Sequence, residues 1–163
     1  MNDANESIRT GARPEDVASP EAIVEAIYDA ISGPRGERDW DRIRSLYLPG
    51  ARLIPTGLRA NGEHGLKILD IEQWIEGARR LFAEQPFWEV QVACRWERFG
   101  SIAQAFSTYE ARHEPEGEAF MTGINGIQLL RREGRWWVVT VFWDNATADN
   151  PIPTCYLPDP ATS

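Results

Sequence analysis

At Pro86 the hydrophobic period of this chain changes from 3.6 residues to 2, so helices and strands must occupy separate parts of it. Before Pro86, apolar residues recur at helical spacing in three segments. Ser19-Pro20-Glu21 supplies an N-cap, a proline at the first helical position and an acid in the first turn. Ile23, Ala26, Ile27, Ala30 and Ile31 follow as one stripe, which Gly33-Pro34 stops. A shorter helix is expected from Asp39, with Trp40, Ile43, Leu46 and Tyr47 on one side, ending at Pro49-Gly50. The third opens at Asp70, with Gln73 in capping-box position, and its stripe is Ile71, Trp74, Ile75, Ala78, Leu81 and Phe82. Between the second and third lie a short apolar strand at 51–56 and a stretch through Gly65 able to turn back as a hairpin.

After Pro86 the pattern alternates. Trp88, Val90, Val92, Cys94 and Trp96 interleave with Glu89, Gln91, Arg95 and Glu97, the mark of a half-buried strand. Gly100-Ser101, the acidic loop from Glu114 to Glu118, and Glu133-Gly134 then separate three more strands, 102–113, 119–132 and 135–146. Helices gathered before an antiparallel meander define an α+β class. Residues 1–18 read as a flexible polar leader, 19–148 as one domain, and 149–163 as an extended tail with prolines at 151, 153, 158 and 160.

Composition narrows the function classes. The chain has 163 residues and a formal charge of −8, with no basic stripe, which argues against nucleic acid. No run of 18 apolar residues is present, which argues against a membrane span, and the polar first twenty residues do not form a signal peptide. The expected compartment is the cytoplasm. Cys94 and Cys155 form no Cys-x-x-Cys unit and His64 and His113 stand in no ligand spacing, so two free thiols and no metal site are expected. No nucleotide-binding glycine motif occurs, and no cofactor is expected.

The last strand, RWWVVTVFW, is apolar on both faces, with Trp137, Val139, Val141 and Trp143 on one and Trp136, Val138 and Phe142 on the other. A sheet with one face in water alternates apolar and polar residues. Three helices cover only one face, so a homodimer through the convex face is expected, with Phe106, Thr108, Ile127 and Leu129 as neighbours.

The element order, with DWDRIRSLYLPGARL (39–53) and GRWWVVTVFWD (134–144), resembles the nuclear transport factor 2-like superfamily over roughly Pro20 to Thr147. The resemblance implies a cone: three N-terminal helices packed on a curved, mostly antiparallel sheet, with any ligand between them. It includes SnoaL-like polyketide cyclases, ketosteroid isomerase and scytalone dehydratase. Both stretches are structural and carry no catalytic signature. The isomerase's general-base position falls near Pro55 and its second acid near Asn125 or Gly126, neither of them acidic here, while its helix-1 tyrosine falls near Ile27 or Tyr28. Isomerase chemistry of that kind is not expected.

In the register the resemblance implies, Ala103, Ala105, Ser107, Tyr109, Ala111 and His113 face inward. Thr122, Ile124, Gly126 and Gln128 would follow on the next strand, and Trp137, Val139, Val141 and Trp143 on the last. Gly123 and Gly126 inside a strand mark a bulge or a close backbone approach, so the stretch either bends to curve the sheet or bulges to turn Asn125 into the cone. The ligand-binding candidates are Tyr28, Trp74, Ser107, Tyr109, Asn125, Gln128 and Trp143, and the catalytic candidates are His113 and Asp144. Two readings stand. One is a dimeric module that binds a small apolar, ring-containing molecule. The other is a SnoaL-like enzyme (cyclase, dehydratase, isomerase or epoxide hydrolase) acting on a polyketide, terpenoid or similar substrate. An inward-facing acid separates them, and the alternation offers none. A dry core filled by Tyr109 and Trp143 is the third possibility.

Overall fold

The computed structural model describes residues 11–58 and 61–160. Helix α1 (Pro20–Ile31) starts where Ser19 Oγ accepts from the Ala22 amide at 3.1 Å. Helix α2 (Trp40–Leu46) starts where Asp39 caps the Arg42 amide at 3.0 Å. Strands β1 (Tyr47–Leu58) and β2 (His64–Leu66) form the expected hairpin. Helix α3 (Ile71–Glu84) carries the Asp70–Gln73 capping box, with bonds of 2.8 and 3.0 Å. The meander follows as β3 (Trp88–Phe99), β4 (Ile102–Arg112), β5 (Ala119–Arg132) and β6 (Arg135–Asn145). Glu133 and Gly134 both take positive φ, 54° and 78°, as a two-residue type I′ turn requires.

The six strands form one sheet in the order β2-β1-β6-β5-β4-β3, with β1 parallel to β6 and every other pair antiparallel. The helices cover its inner face. Their stripes, Ile23, Ile27 and Ile31 from α1, Ile43 and Leu46 from α2, and Ile75 and Phe82 from α3, join one core. This is the expected α+β cone. No helix among the described residues is long and apolar enough to cross a membrane.

Two bulges correct the expected strand faces. In β6 the ladder shifts between Gln128 and Leu129, leaving Val139 as the extra residue. Trp136 and Val138 therefore join the core on the same side as Val141 and Trp143, while Trp137 is buried outside that core under the Arg135 guanidinium, 3.6 Å from the ring centroid. Much of the two-faced apolar character of this strand comes from that switch. In β3 Val92 is the extra residue between Gln91 and Ala93. Glu89 and Gln91, opposite the buried Ala111 and Tyr109, turn inward, and beyond the bulge Cys94 and Trp96 do so.

Strand β5 presents the face opposite to the one expected. Asn125, Ile127 and Leu129 are buried, and Gln128 is exposed. Its register holds without a bulge from Gly123 to Gln128. Gly123 is the reason for its place: a Cβ there would lie 2.5 Å from Tyr109 Oη and 2.5 Å from the Asp144 carbonyl oxygen. Gly126 does the same on the outer face, where a Cβ would meet the Phe142 ring at 2.8 Å. These glycines mark close approach, and Asn125 points inward by plain alternation.

Of the expected leader, residues 1–10 lie outside the described residues. Residues 14–17 form a short 3-10 turn with Asp16 and Val17 buried. Arg42 holds it, with Nε and Nη2 on the Asp16 carboxylate at 2.8 and 3.0 Å and Nη1 on Asp29. A partner 26 positions away leaves no local pattern, so the boundary at 18 lies too late. The tail crosses the outer sheet face: Arg95 Nε donates to the Cys155 carbonyl at 3.0 Å, Thr108 Oγ1 to that of Tyr156 at 2.6 Å, and the Tyr156 ring meets Phe106 edge-on.

Candidate functional site

Between α1, α3 and the inner sheet face lies a cavity of about 300 Å³. Its walls are apolar and largely aromatic: Ile27 and Ile31 from α1, Trp74, Ala78 and Phe82 from α3, Tyr47 and Leu53 from β1, Phe87 before β3, and Val141 and Trp143 from β6. Gly77, without a side chain, lines it as well. Glu89, Asn125, Gln73 and the Tyr47 and Tyr109 rings supply its polar groups.

Glu89 dominates the electrostatics. Burial pushes its carboxyl up to about 7, against the downward pull of the Asn125 amide. Asn125 Nδ2 donates one hydrogen to Glu89 Oε1 and the other to Tyr28 Oη, each at 3.0 Å. Ser107 Oγ donates to Gln91 Oε1 at 2.7 Å, so in the 2.6 Å contact between Ser107 and Tyr28 the phenol is the donor. The chain of donors thus runs from Asn125 through Tyr28 and Ser107 to Gln91, and it fixes the Asn125 amide. Tyr109 Oη donates to Asn145 Oδ1. Burial, reinforced by the negative charge of Glu89, keeps the Tyr28, Tyr47 and Tyr109 phenols protonated.

The structure brings four of the candidates named from the sequence to the cavity wall, sets two more in the hydrogen bonds behind it and separates the rest. Trp74, Tyr109, Asn125 and Trp143 line the cavity. Tyr28 and Ser107 are not among its lining residues and act through the hydrogen bonds that hold Asn125, while the Tyr109 hydroxyl is committed to Asn145. Gln128 is excluded, because β5 turns it to the outer face opposite Gln104. His113 is exposed, stacked on Phe120 with Nδ1 3.3 Å from the Pro86 carbonyl oxygen, and does not reach the cavity. Asp144 is exposed too, accepting from the Asn145 amide at 2.8 Å. Neither catalytic candidate sits at the site.

The acid that alternation failed to offer is Glu89. It stands in a polar position of the alternation from Trp88 to Val92, and the bulge at Val92 reverses its face. No group of His, Cys, Asp and Glu among the described residues is arranged to hold a metal. Cys94, half-buried, and Cys155, exposed, are both free thiols.

No protein-family profile matches the chain, and no curated protein sequence does. Solved structures similar to it include a protein of unknown function with a cystatin-like fold from Nostoc punctiforme, with a TM-score of 0.60 at 8% identity over 78% of this chain and 89% of that one. An NTF2-like protein of unknown function from Pseudomonas putida superposes with a TM-score of 0.58 at 12% identity, covering 82% and 89% of the two chains. Another from Silicibacter pomeroyi gives 0.53 at 20% identity, covering 77% and 92%. The chain therefore has the nuclear transport factor 2-like, cystatin-like fold. At these identities the likeness concerns architecture alone.

Glu89 predicts a pH-dependent stability. Its carboxyl titrates at about 7 in the folded chain against an ordinary 4.5, so the folded state holds that proton more tightly than the unfolded one. The cost of the buried carboxylate is absent below about pH 4.5 and grows to its full size above about pH 7. Glu89→Gln removes that cost. Relative to the parent it should gain on the order of 2 kcal/mol in passing from acid to alkaline buffer, read as the shift in urea midpoint. An equal effect at both ends would contradict the placement of this side chain.

Proposed function

We propose that the cavity binds one small, largely apolar, ring-containing molecule. The observation that carries this reading is an aromatic-walled hollow of about 300 Å³, kept open beside Gly77 and Ala78, with the Glu89 carboxyl in its wall. Trp74 and Trp143 offer ring faces for stacking, and Tyr47 and Glu89 offer polar contacts to a carbonyl or hydroxyl. A neutral two-ring alcohol such as 2-naphthylmethanol should quench or shift tryptophan emission saturably. Trp143→Ala should weaken that binding by about tenfold, the scale of one lost aromatic contact. A panel of ring alcohols and ketones that produces no saturable change would defeat the reading.

Glu89 favours a second reading, in which the bound molecule is also turned over by proton transfer. A carboxyl poised near neutrality exists in both protonation states at working pH, as a general acid or base requires. A polyketide, terpenoid or similar substrate of cyclase, dehydratase, isomerase or epoxide-hydrolase chemistry fits such a wall. Under this reading Glu89→Gln keeps affinity for a neutral substrate and loses turnover.

A second copy of the chain is the partner we propose for the convex face. Phe106 and Phe142, each 42% exposed, and Ile102, 57% exposed, remain uncovered beside the tail. Val138 does not belong to that face, since it is fully buried in the core. Light scattering should give about twice the 18.5 kDa of one chain, and Phe142→Glu should return it to the single mass. A parent chain of single mass at micromolar concentration would defeat the dimer.

A further inference from the structure

Among the described residues Glu89 is the only charged group lining the cavity, and no arginine, lysine or histidine of theirs stands within ion-pair distance of it. The fold also directs the nearby donors elsewhere. Both Asn125 amide hydrogens are used, one on Glu89 Oε1 and one on Tyr28. Tyr28 donates to Ser107, and Tyr109 to Asn145. Glu89 Oε2 has no hydrogen-bond partner among the described residues, and it belongs to a side chain that lines the cavity. A carboxylate enclosed in apolar surroundings without a counterion is costly, and removing that deficit is worth far more than adding one more apolar contact.

We propose that the ligand is a hydrophobic amine: one or two fused rings bearing a single ammonium group that pairs with Glu89 Oε2. The inference rests on the reading of the cavity as a binding site and adds the charge of its occupant. Three features favour a cation over the alternatives. An anion would face Glu89 with no basic group to offset it. A neutral ligand leaves the carboxyl to take up a proton instead. An ammonium supplies the missing counterion, and the faces of Trp74, Trp143 and Phe87 suit both the rings and the charge.

The pairing couples binding to pH. On the cavity side the groups near Glu89 are Tyr28 from α1, Tyr47 from β1, Tyr109 from β4 and Asn125 from β5, with Gln73 and Trp74 but no charge from α3. On its other side Glu89 shares a groove with the acids Glu21, Glu25 and Asp29 of α1 and Glu116 of the loop after β4, which add no counterion. The three phenols stay protonated, so on the cavity side Glu89 is the group that titrates between acid and mildly alkaline pH. An ammonium selects the carboxylate, so amine affinity should rise by up to about tenfold per pH unit below neutrality and level off above it.

The test is calorimetry on the full chain with three probes of one shape: 2-naphthylmethylamine, 2-naphthylmethanol and 2-naphthoate. At mildly alkaline pH the amine should bind at least about tenfold more tightly than the alcohol, and naphthoate should not bind measurably. Glu89→Gln should erase the preference for the amine, bringing the amine-to-alcohol affinity ratio down to about one. Should that variant fail to fold, the parent chain still decides: the amine-to-alcohol affinity ratio should climb from acid to alkaline pH. Equal binding of amine and alcohol, or a ratio flat with pH, would overturn the amine and leave the binding site standing. No binding of any probe would overturn both.

Discussion

Val92 is an extra residue in the β3 ladder, opposed by no residue of β4, and the inward positions on either side of it are spaced by three rather than two. Val139 does the same in β6. A bulge of this kind bends its strand and increases its local twist, which a sheet wrapped around helices requires. It also exchanges the faces. The Val139 bulge puts Trp136 and Val138 in the core on the same side as Val141 and Trp143. The Val92 bulge brings Glu89 and Gln91 inward on one side and Cys94 and Trp96 on the other. Without the shift at Val92 the cavity wall would keep the amides of Asn125 and Gln73 and its tyrosines but would lose its carboxyl.

What that carboxyl meets inside is a polar network already closed on itself. Each donor has a settled acceptor, from Asn125 to Tyr28 to Ser107 to Gln91, and from Tyr109 to Asn145. Buried polar chains of this type hold one arrangement because every member is satisfied. The network positions Asn125 against Glu89 and supplies the carboxylate with one hydrogen bond. Neutral bonds of that kind offset only part of a buried charge, and so the carboxyl titrates at about 7. Stability is spent at this point and recovered from the large core beneath the helices, a pattern common at sites that bind or react.

The parts of this arrangement that were legible in the sequence are those with local causes. Ser19, Asp39 and the Asp70–Gln73 pair announced the helix starts, and Glu133-Gly134 announced the last turn. The inward set on β4 was legible because Ala103, Ala105, Ser107, Tyr109 and Ala111 alternate with larger or charged residues, and all five are buried. Strand β5 misled because its two faces are alike in composition; its register is set by the fit of Tyr109 against Gly123, a contact between strands. Glu89 was hidden for a related reason. Val92 continues the apolar alternation of Trp88, Val90, Cys94 and Trp96, and only the small Ala93 beside it, in a polar position, departs from the pattern. The anchoring of residues 14–17 depends on Arg42, equally remote in sequence.

Glu89 is a desolvated carboxyl with no cation beside it among the described residues, and its own titration tests that most directly. In chain labelled with ¹³C at glutamate side chains, the Glu89 carboxyl resonance, assigned by its loss in Glu89→Gln, can be followed across pH. The expected midpoint is about 7, displaced well above the ordinary 4.5. A midpoint near the ordinary 4.5 would place the side chain in water or beside a positive charge, and would contradict it.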